Sequence, residues 1–259
     1  MAEGTERAGT SSTPQLSLVL AVLNEQASLP ELFRRLRALS LPPWEAIVAD
    51  DGSTDGTREY LAELARNDPR VRLLFHDGRQ TTVTAQSAAI ASARGPSVVV
   101  MDADLQHPPE LVPALLGGLE EGAALVVASR YLPGGTPGAR PPLRAVISRG
   151  AEWTAKLLLA PARQLTDPVS GYFAFRRSVF VPLPPGTRGY KLLLFLLVMS
   201  RGRPVREVPF RFEPRTAGSS KVTSGLAFVR LFLVEVLLAR RFSRRLTTST
   251  VAAARPAGS

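Results

Sequence analysis

The chain has 259 residues, enough for one large domain with a sizeable hydrophobic core. Its 45% hydrophobic and 21% charged residues are typical of an ordinary globular protein. The lack of cysteine excludes disulfide bonds, thiolate metal sites and cysteine catalysis, and two histidines leave little material for a zinc site.

The net charge of +10 is unevenly distributed along the chain. From residue 215 to residue 259, eight basic residues stand against one acidic residue, which gives this segment a net charge of +7. A basic segment beside apolar sequence fits an anionic membrane surface at least as well as nucleic acid. Aromatic residues are only 7% of the chain and no recognition motif is visible, so we expect no nucleic-acid partner.

Neither terminus is expected to belong to the folded domain. Residues 1–14 have no apolar core and contain two glutamates, which argues against a signal peptide and favours a disordered leader. Residues 246–259 are expected to form a disordered tail. No run of about 18 uncharged apolar residues occurs, so we expect no transmembrane helix.

From residue 16 onward, apolar stretches of strand length alternate with segments of helical character. This alternation predicts an α/β fold in which a mostly parallel sheet is covered by helices on both faces. The predicted strands cover residues 16–23, 45–49, 71–75, 97–101, 124–128, 173–176 and 205–212. The predicted helices cover residues 28–39, a segment ending at 66, 85–93, a segment beginning at 108–110, and then 144–159, 191–199 and 226–242.

Three local signals refine this prediction. Ser28 and Glu31 are spaced as a capping box at the start of the first helix. Gly95 is expected to end the third helix in the left-handed conformation. The Gly- and Pro-rich loop at 133–142 is long enough to act as a lid.

Four of the predicted strands lead directly into charged or hydrogen-bonding residues. In open α/β sheets, ligands bind beyond the carboxyl ends of the strands, so we expect the binding site at that edge. The residues there are Asn24, Glu25, Asp50, Asp51, Asp102, Asp104, Ser129 and Arg130.

Asp102-Ala103-Asp104 is the most informative of these segments. Alternation along an extended chain puts both carboxylates on one side, with Ala103 pointing away. Two hard oxygen ligands at the mouth of a sheet suit Mg²⁺ or Mn²⁺, which in turn holds a diphosphate. Alone, the pattern is as compatible with an acidic turn that ends a strand.

Several nucleotide-binding and hydrolase classes are excluded by missing motifs. The first strand is not followed by a dinucleotide-binding glycine fingerprint, and the chain has neither a P-loop nor the nucleophile elbow of α/β-hydrolases. A nucleotide would therefore have to be held by carboxylates and a metal.

Eight short motifs follow one another between residues 24 and 221. They are N-E at 24–25, D-D-G-S-T-D-G-T at 50–57, D-A-D-L-Q-H-P-P-E at 102–110, S-R-Y at 129–131, R-x-x-x-S at 144–148, D-P-x-S-G-Y at 167–172, G-Y-K at 189–191 and R-x-x-G-x-S-K at 215–221. In this order the chain resembles the inverting family 2 glycosyltransferases of the GT-A fold, specifically the polyprenyl (dolichyl) phosphate mannose synthase group. The long third motif and the later basic motifs make the resemblance specific to enzymes with a lipid-phosphate acceptor.

The resemblance implies a membrane-associated enzyme without a transmembrane helix. It implies a GT-A domain at 15–215 and a basic loop with an amphipathic membrane-interface helix at 216–245. The protein would lie peripherally on the cytoplasmic side of a membrane, with an anionic membrane surface as a partner.

The implied reaction moves mannose from GDP-mannose, the nucleotide-sugar donor, to a polyprenyl (dolichyl) phosphate acceptor. A UDP-sugar donor, for example UDP-glucose, is the nearest alternative. A non-catalytic subunit that binds lipid phosphate or nucleotide-sugar is a second alternative, against which the intact acidic and basic motifs argue. A soluble nucleotidyltransferase would not account for the apolar, basic C-terminal end.

On the donor side, the resemblance implies both metal ligands and nucleoside contacts. The donor-binding residues would be Glu25, Asp51, Asp102 and Ala103, and the ligands of Mg²⁺ or Mn²⁺ would be Asp102, Asp104 and Gln106. Asp102 contacts the metal or the ribose in this interpretation. For Asp51 the alternative is an Asx turn, and both roles can coexist. His107 is interpreted as a polar residue at a helix start, and Gln106 as a ligand.

On the acceptor side, three residues would cradle the phosphate, namely Arg130, Arg144 and Ser148, because arginine offers paired donors to phosphate. For Arg144 the alternative is a solvated charge at a helix start. The catalytic set would be Asp104, Asp167, Arg215 and Lys221. Arg215 and Lys221 would close over the diphosphate, or else be ordinary members of the basic tail.

The chemistry of the acceptor bears on whether a general base is needed. A phosphate oxygen is already anionic at neutral pH, unlike a sugar hydroxyl. We therefore expect an in-line, inverting displacement without an obligatory general base, with Asp167 positioning the sugar.

Overall fold

The computed structural model describes residues 13–75, 81–138, 142–184, 186–214 and 226–253. The strands are β1 (Leu16–Val22), β2 (Trp44–Asp50), β3 (Val71–Phe75), β4 (Ser97–Asp102), β5 (Leu125–Ser129), β6 (Phe173–Arg176) and β7 (Val205–Pro209). The α-helices are α1 (Leu29–Ala38), α2 (Thr57–Asn67), α3 (Thr82–Ala91), α4 (Val112–Glu120), α5 (Pro142–Leu158), α6 (Leu192–Met199) and α7 (Leu226–Ala253).

All seven strands form one sheet, in the order β3-β2-β1-β4-β6-β5-β7. β1 pairs in parallel with both β2 and β4, and the register sets Val22 beside Asp50 and Ala21 beside Asp102. The carboxyl ends of these strands therefore meet at one edge. The predicted α/β fold with a mostly parallel sheet is confirmed.

Strand β6 is antiparallel to both of its neighbours, β4 and β5. The chain reaches β6 through the turn at residues 167–172, and this turn lies beside Arg130 at the carboxyl end of β5. The chain thus enters β6 from the carboxyl edge of the sheet, so β6 must run in the opposite direction. The orientation of this strand was not predicted.

Two hydrophobic clusters fill the two faces of the sheet. One contains residues of α1, α2 and α4, and the other contains residues of α3, α5, α6 and α7. Valine, leucine and isoleucine side chains in the central strands are fully buried, each contributing about 1.5–3 kcal/mol of transfer free energy. Helices cover both faces, as the continuous apolar strands predicted.

The predicted capping box at the start of α1 is wrong. Ser28 has helical dihedral angles, and its hydroxyl donates backwards to the backbone oxygen of Glu25 (3.1 Å). Glu31 is instead paired with Arg34 (2.6 Å). Because the turn from Glu25 already satisfies Ser28, the reciprocal bonds of a capping box do not form.

The predicted left-handed cap at Gly95 is also wrong. Helix α3 ends at Ala91, and Gly95 is not among the glycines with positive φ. A β-carbon at Gly95 would lie 2.8 Å from the backbone of Leu16, and the Gly95 N–H donates to Ser17 Oγ (2.9 Å). Glycine is needed here for close approach to β1.

Part of the predicted lid at 133–142 is tied to the sheet. Thr136 forms a parallel bridge with Arg211, just beyond β7. The Thr136 N–H donates to the Phe210 oxygen (3.0 Å), and the Phe212 N–H donates to the Thr136 oxygen (3.0 Å). Residues 139–141 of this loop lie outside the described residues.

The C-terminal helix α7 continues to Ala253, past the predicted boundary at residue 245. Within the described ranges, none of the helices combines the length and apolar character that crossing a membrane would require. Residues 1–12 of the predicted leader and residues 254–259 of the predicted tail lie outside the described ranges.

Candidate active site at the carboxyl edge of the sheet

Hydrogen bonds join the turn after β1 to the loop after β2. The Asn24 N–H donates to Ser53 Oγ (2.8 Å), and the Thr54 N–H donates to Asn24 Oδ1 (2.8 Å). The Glu25 N–H donates to Thr57 Oγ1 (2.9 Å). Asn24 is left-handed (φ 51°), a conformation that asparagine adopts more readily than most residues. The first two motifs therefore form one structural unit.

Within this unit, Asp50 is the structural carboxylate and Asp51 stands next to it. Asp50 is fully buried, and it accepts hydrogen bonds from the Ser53 N–H (3.2 Å) and from Arg58 Nε (2.5 Å). The Asx turn weighed for Asp51 is thus formed by Asp50. The Asp51 N–H donates to the Val22 oxygen (3.0 Å), which places Asp51 between the ends of β1 and β2.

The Asp-x-Asp segment begins where β4 ends. The Asp102 side chain is 45% exposed, whereas Ala103 is 1% exposed and packs in the core. Ala103 therefore points away from the edge, as predicted, and only its backbone could contact a donor. Asp104 is buried, and its Oδ1 accepts the Gln106 N–H (3.1 Å).

A left-handed residue shapes the turn that follows. Leu105 has φ 63°, a conformation that costs a non-glycine residue roughly 1–2 kcal/mol. Its side chain is buried in the core, which offsets this cost. Gln106 Nε2 donates to the Glu213 oxygen (3.4 Å), so the side-chain oxygen of Gln106 is the atom suited to a metal.

His107 lies inside an aromatic cluster and supports Asp102. Its ring stacks on Tyr172 (centroids 5.0 Å apart) and meets Phe210 and Phe212 edge-on. Its Nδ1 accepts the Asp102 N–H (2.9 Å), which makes Nε2 the protonated nitrogen. Burial lowers the pKa of His107 to about 4, so the ring is neutral at pH 7. The interpretation of His107 as a simple helix-start residue misses this supporting role.

Arg130 and Asp167 form a buried bidentate ion pair. Arg130 Nε donates to Asp167 Oδ2 (2.7 Å) and Nη2 donates to Oδ1 (2.8 Å). Asp167 is fully buried, and the Arg130 side chain is 12% exposed. Burial alone would lower the pKa of Arg130, but the hydrogen bonds and charge of Asp167 outweigh it and raise the pKa. The charge of Arg130 is thus largely neutralised within the protein.

Glu207 on β7 holds the turn that carries Asp167. The sequence patterns did not single out this residue. Glu207 Oε1 accepts the Asp167 N–H (3.0 Å) and the Thr166 hydroxyl (2.9 Å), and Oε2 accepts the Thr166 N–H (2.8 Å). These three bonds fix the turn against β7. The two oxygens of Glu207 thereby set the position of the Arg130 partner.

Ser148 lies on α5 beside a buried acid, Glu152. Its hydroxyl approaches Glu152 Oε1 at 3.5 Å, and Arg149 pairs with Oε2 at 3.4 Å. The Arg149 guanidinium also lies over the Tyr131 ring, 4.4 Å from its centroid, and Arg130 lies 5.5 Å from the same centroid. The structure therefore adds Arg149 and Tyr131 to the predicted acceptor side.

Three predicted basic residues fall outside the described part of the structure. Arg215 and Lys221 lie outside the described residues, and the side chain of Arg144, at the start of α5, lies outside them as well. Their roles stay predictions.

Lys191, from the G-Y-K motif, brings a further positive charge to this edge. Burial and the charge of Arg130 lower its pKa, while the charges of Asp102, Asp167 and Glu235 act in the opposite direction. The turn that carries Lys191 lies at the carboxyl edge of the sheet, because the Gly189 N–H donates to Thr81 Oγ1 (3.1 Å) just before α3, which follows the carboxyl end of β3. The charge of Lys191 also contributes to lowering the pKa of His107.

No cluster of three or more acidic or imidazole side chains suited to a metal occurs among the described residues. The predicted ligand set is smaller, with two carboxylates and one amide oxygen from Asp102, Asp104 and Gln106. Hard oxygen donors of this kind fit Mg²⁺ or Mn²⁺, which keep water or phosphate oxygens as their remaining ligands.

Comparison with known proteins identifies the family. Residues 17–182 match the sequence profile of glycosyl transferase family 2. The chain belongs to glycosyl transferase family 2. This agrees with the resemblance based on the eight motifs. It also agrees with a carboxylate-lined edge in a sequence that has no P-loop motif.

Named relatives in this family cover most of the chain. A dolichol-phosphate mannosyltransferase of Pyrococcus furiosus is 36% identical over 83% of this chain, which spans 61% of the length of that relative. A dolichol-phosphate mannosyltransferase of Mycosarcoma maydis is 33% identical over 92% of this chain and 84% of its own length. A polyprenol monophosphomannose synthase of Mycolicibacterium smegmatis is 34% identical over 85% of both chains.

Solved structures confirm the fold of this family 2 transferase. Glucosyl-3-phosphoglycerate synthase from Mycobacterium tuberculosis, in complex with Mn²⁺, UDP-glucose and phosphoglyceric acid, superimposes with a TM-score of 0.65. The alignment covers 88% of this chain and 79% of that one, at 24% identity. At this identity the likeness concerns the GT-A fold alone.

Proposed function

We propose that this family 2 transferase moves mannose from GDP-mannose to polyprenyl phosphate. The observation that carries the proposal is that the Asp102–Gln106 segment lies beside the turn that carries Asp167, the partner of Arg130. A β-carbon at Gly171 of this turn would lie 3.6 Å from Asp102 Oδ2. This arrangement suits two phosphate groups, one on each substrate. The names of the relatives, over most of this chain, support the same reaction.

On the donor side, Asp102, Asp104 and Gln106 would hold Mg²⁺ or Mn²⁺. When bound, the metal offsets the negative charge of the donor diphosphate. Glu25 and Asp51, at the ends of β1 and β2, would contact the nucleoside, and the backbone of Ala103 would lie against the donor. Arg215 and Lys221 would close over the diphosphate.

On the acceptor side, the phosphate would be held by Arg130, Arg144 and Ser148, with Arg149 beside them. Asp167 occupies Nε and Nη2 of Arg130, so we assign Nη1 to the acceptor phosphate. Lys191 supplies a charge that Arg130 cannot supply in full. Together these groups offset the repulsion between an anionic acceptor and an anionic donor.

The reaction is an in-line displacement at the anomeric carbon. An anionic oxygen of the acceptor phosphate forms the new bond to this carbon as the bond to the diphosphate oxygen breaks, and GDP leaves with the electron pair. Asp167 is unsuited to act as a base because it is fully buried and paired with Arg130. None is required, since the attacking oxygen carries no proton at neutral pH.

The surface formed by α5 and α7 supports peripheral attachment to an anionic membrane, and we propose that the protein lies on the cytoplasmic side. These helices pack against each other and expose large apolar side chains, including Trp153 (75% exposed) and Leu157 (73%) on α5 and Leu237 (47%) on α7. Arg240, Arg241, Arg244 and Arg245 follow on α7. Apolar side chains with a basic rim are typical of helices that lie in a lipid interface. The GT-A domain at 15–215 would be attached to the membrane through its helix α5 and the segment 216–245.

Transfer is tested with radiolabelled GDP-mannose and UDP-glucose, each with a short polyprenyl phosphate, by counting label extracted into the lipid phase. We expect label from GDP-mannose, abolished by a chelator and restored by Mg²⁺ or Mn²⁺. Asp104→Asn should lower the rate at least about 100-fold, since it removes a carboxylate ligand.

Asp68→Asn serves as the matched control, because Asp68 is a buried carboxylate at the opposite end of the sheet, just before β3. Label from UDP-glucose alone would establish the UDP-sugar alternative. Specific binding of GDP-mannose without any lipid-linked product would establish a non-catalytic binding subunit.

A further inference from the structure

Helix α7 carries one acid, Glu235, among apolar and basic residues, and this acid is buried. Glu235 is 1% exposed, and burial raises its pKa to about 7. Burying a carboxylate costs free energy unless hydrogen bonds compensate. The position of Glu235 in the core is therefore explained by what its two oxygens bind.

Both oxygens accept backbone N–H groups from the turn that begins α6. Oε1 accepts the Lys191 N–H (2.6 Å) and Oε2 accepts the Tyr190 N–H (3.1 Å). Gly189 has φ 157°, and a β-carbon there would lie 2.3 Å from the Glu235 carboxyl carbon. Glycine at this position thus lets the carboxylate reach the turn.

The other side of the same turn is held by α3. The Gly189 N–H donates to Thr81 Oγ1 (3.1 Å), and the Val83 N–H donates to the Gly189 oxygen (3.1 Å). The turn is therefore clamped between the start of α3 and Glu235 of α7. Removal of the Glu235 contact would leave only the α3 side fixed.

Lys191 ends this clamped turn at the carboxyl edge of the sheet, because the turn is held by the start of α3, which follows the carboxyl end of β3. The Lys191 N–H is bound by Glu235, and the charges of Asp102, Asp167 and Arg130 act on its ammonium group. The direction in which the ammonium group extends is set by the backbone of residues 189–191.

We propose that Glu235 is a positioning residue that holds the Gly189–Lys191 turn so that the Lys191 ammonium reaches the phosphate groups of the substrates. The identity of those phosphates rests on the proposed function. Because Glu235 belongs to α7, the contact also ties the helix assigned to the membrane surface to the substrate site.

A double-mutant cycle tests this inference. Glu235→Gln keeps the size of the side chain but turns an NH₂ group toward a backbone N–H. Displacing Lys191 by this means should lower kcat/KM about 10- to 100-fold. In a Lys191→Met background the same change should lower it less than about twofold, because the residue it positions is gone. Glu235→Asp, which keeps the carboxylate, should retain more activity than Glu235→Gln and serves if the glutamine variant fails to fold.

Glu45→Gln is the matched control. Glu45 is another buried acid that accepts a backbone N–H, from Arg94 (2.7 Å), but it lies at the amino end of β2. Its replacement should affect stability without energetic coupling to Lys191. Equal losses from Glu235→Gln with and without Lys191, or no loss at all, would overturn the proposal.

A second readout separates this inference from the proposed function. Binding of inorganic diphosphate in the presence of Mn²⁺, measured by calorimetry, should weaken in Lys191→Met and Glu235→Gln by similar factors and show no further loss in the double variant. If the wild-type protein transfers no sugar, the proposed function fails, and this binding cycle still decides the role of Glu235. Unchanged diphosphate affinity in Glu235→Gln would then refute it.

Discussion

At the scale of single residues, this edge depends on side chains that hold the expected ligands in place. His107 binds the Asp102 backbone, and Glu207 binds the turn that presents Asp167. Neither residue needs to touch a substrate. Such supporting contacts orient the groups that do, and their loss commonly costs 10–100-fold in metal affinity or activity.

His107→Phe is expected to separate the hydrogen bond to Asp102 from the packing of the ring on Tyr172. Phenylalanine keeps the stack on Tyr172 but offers no acceptor to the Asp102 N–H. Mn²⁺ affinity, measured by calorimetry, should fall about 10- to 100-fold while the circular dichroism spectrum stays that of the wild type. An unchanged affinity would show that His107 only fills space.

Asp167→Asn is expected to act first on stability. It would leave the buried Arg130 guanidinium without a negative partner and turn an NH₂ group toward one of its N–H donors, at a cost of about 3–5 kcal/mol in the free energy of unfolding. Urea denaturation of both single variants and of Arg130→Met/Asp167→Asn measures the coupling. The double variant should be more stable than Asp167→Asn, and simple additivity would contradict a coupled pair.

At the scale of elements, buried carboxylates fasten neighbouring helices and strands away from the site. Asp68, which follows α2, pairs with Arg70 before β3 and with Arg37 of α1 (2.9 Å each). Hydrogen bonds from Arg70 and Arg37 lower the pKa of Asp68 to about 2. This ion-pair cluster links α1, the end of α2 and the start of β3 at the amino edge of the sheet.

The Asp68 cluster predicts a pH dependence of stability. A lowered pKa means that the folded state favours the charged form, so the contribution of about 2 kcal/mol is present above the ordinary pKa of 3.8 and is lost as the pH falls toward 2. Asp68→Asn should therefore be less stable than wild type at pH 6, with a smaller difference at pH 3. Urea unfolding at both pH values measures this, and an equal difference would contradict it.

At the scale of the whole molecule, the apolar surface of α5 and α7 is connected to the carboxyl edge of the sheet through direct contacts. α7 packs on both α5 and α6, and its Glu235 binds the turn that starts α6. A lipid-linked acceptor would reach this edge from the membrane surface against which α5 and α7 would lie. Under the proposed function, this attachment would bring the acceptor phosphate close to Ser148 on α5.

Trp153→Glu is expected to weaken binding to lipid vesicles. It replaces an exposed aromatic ring on α5 with a charge that anionic lipid repels, so the partition coefficient should fall roughly 10-fold. Co-sedimentation with phosphatidylglycerol-containing vesicles measures this. Val181→Glu, at an exposed apolar residue outside both helices, is the control, and equal binding by wild type to neutral and anionic vesicles would refute the electrostatic part.

The sequence by itself determined the α/β fold, the family and the edge at which the candidate site residues meet. It could do so because apolar strand patterns and contiguous motifs are local properties of the chain. Only the tertiary structure decided which groups neutralise one another. It paired Arg130 with Asp167, placed Glu207 under that turn, enclosed His107 in aromatic rings and brought Glu235 to Lys191. These contacts join residues far apart in the chain, and their geometry follows from how the helices and β7 pack on the sheet, which no local pattern specifies.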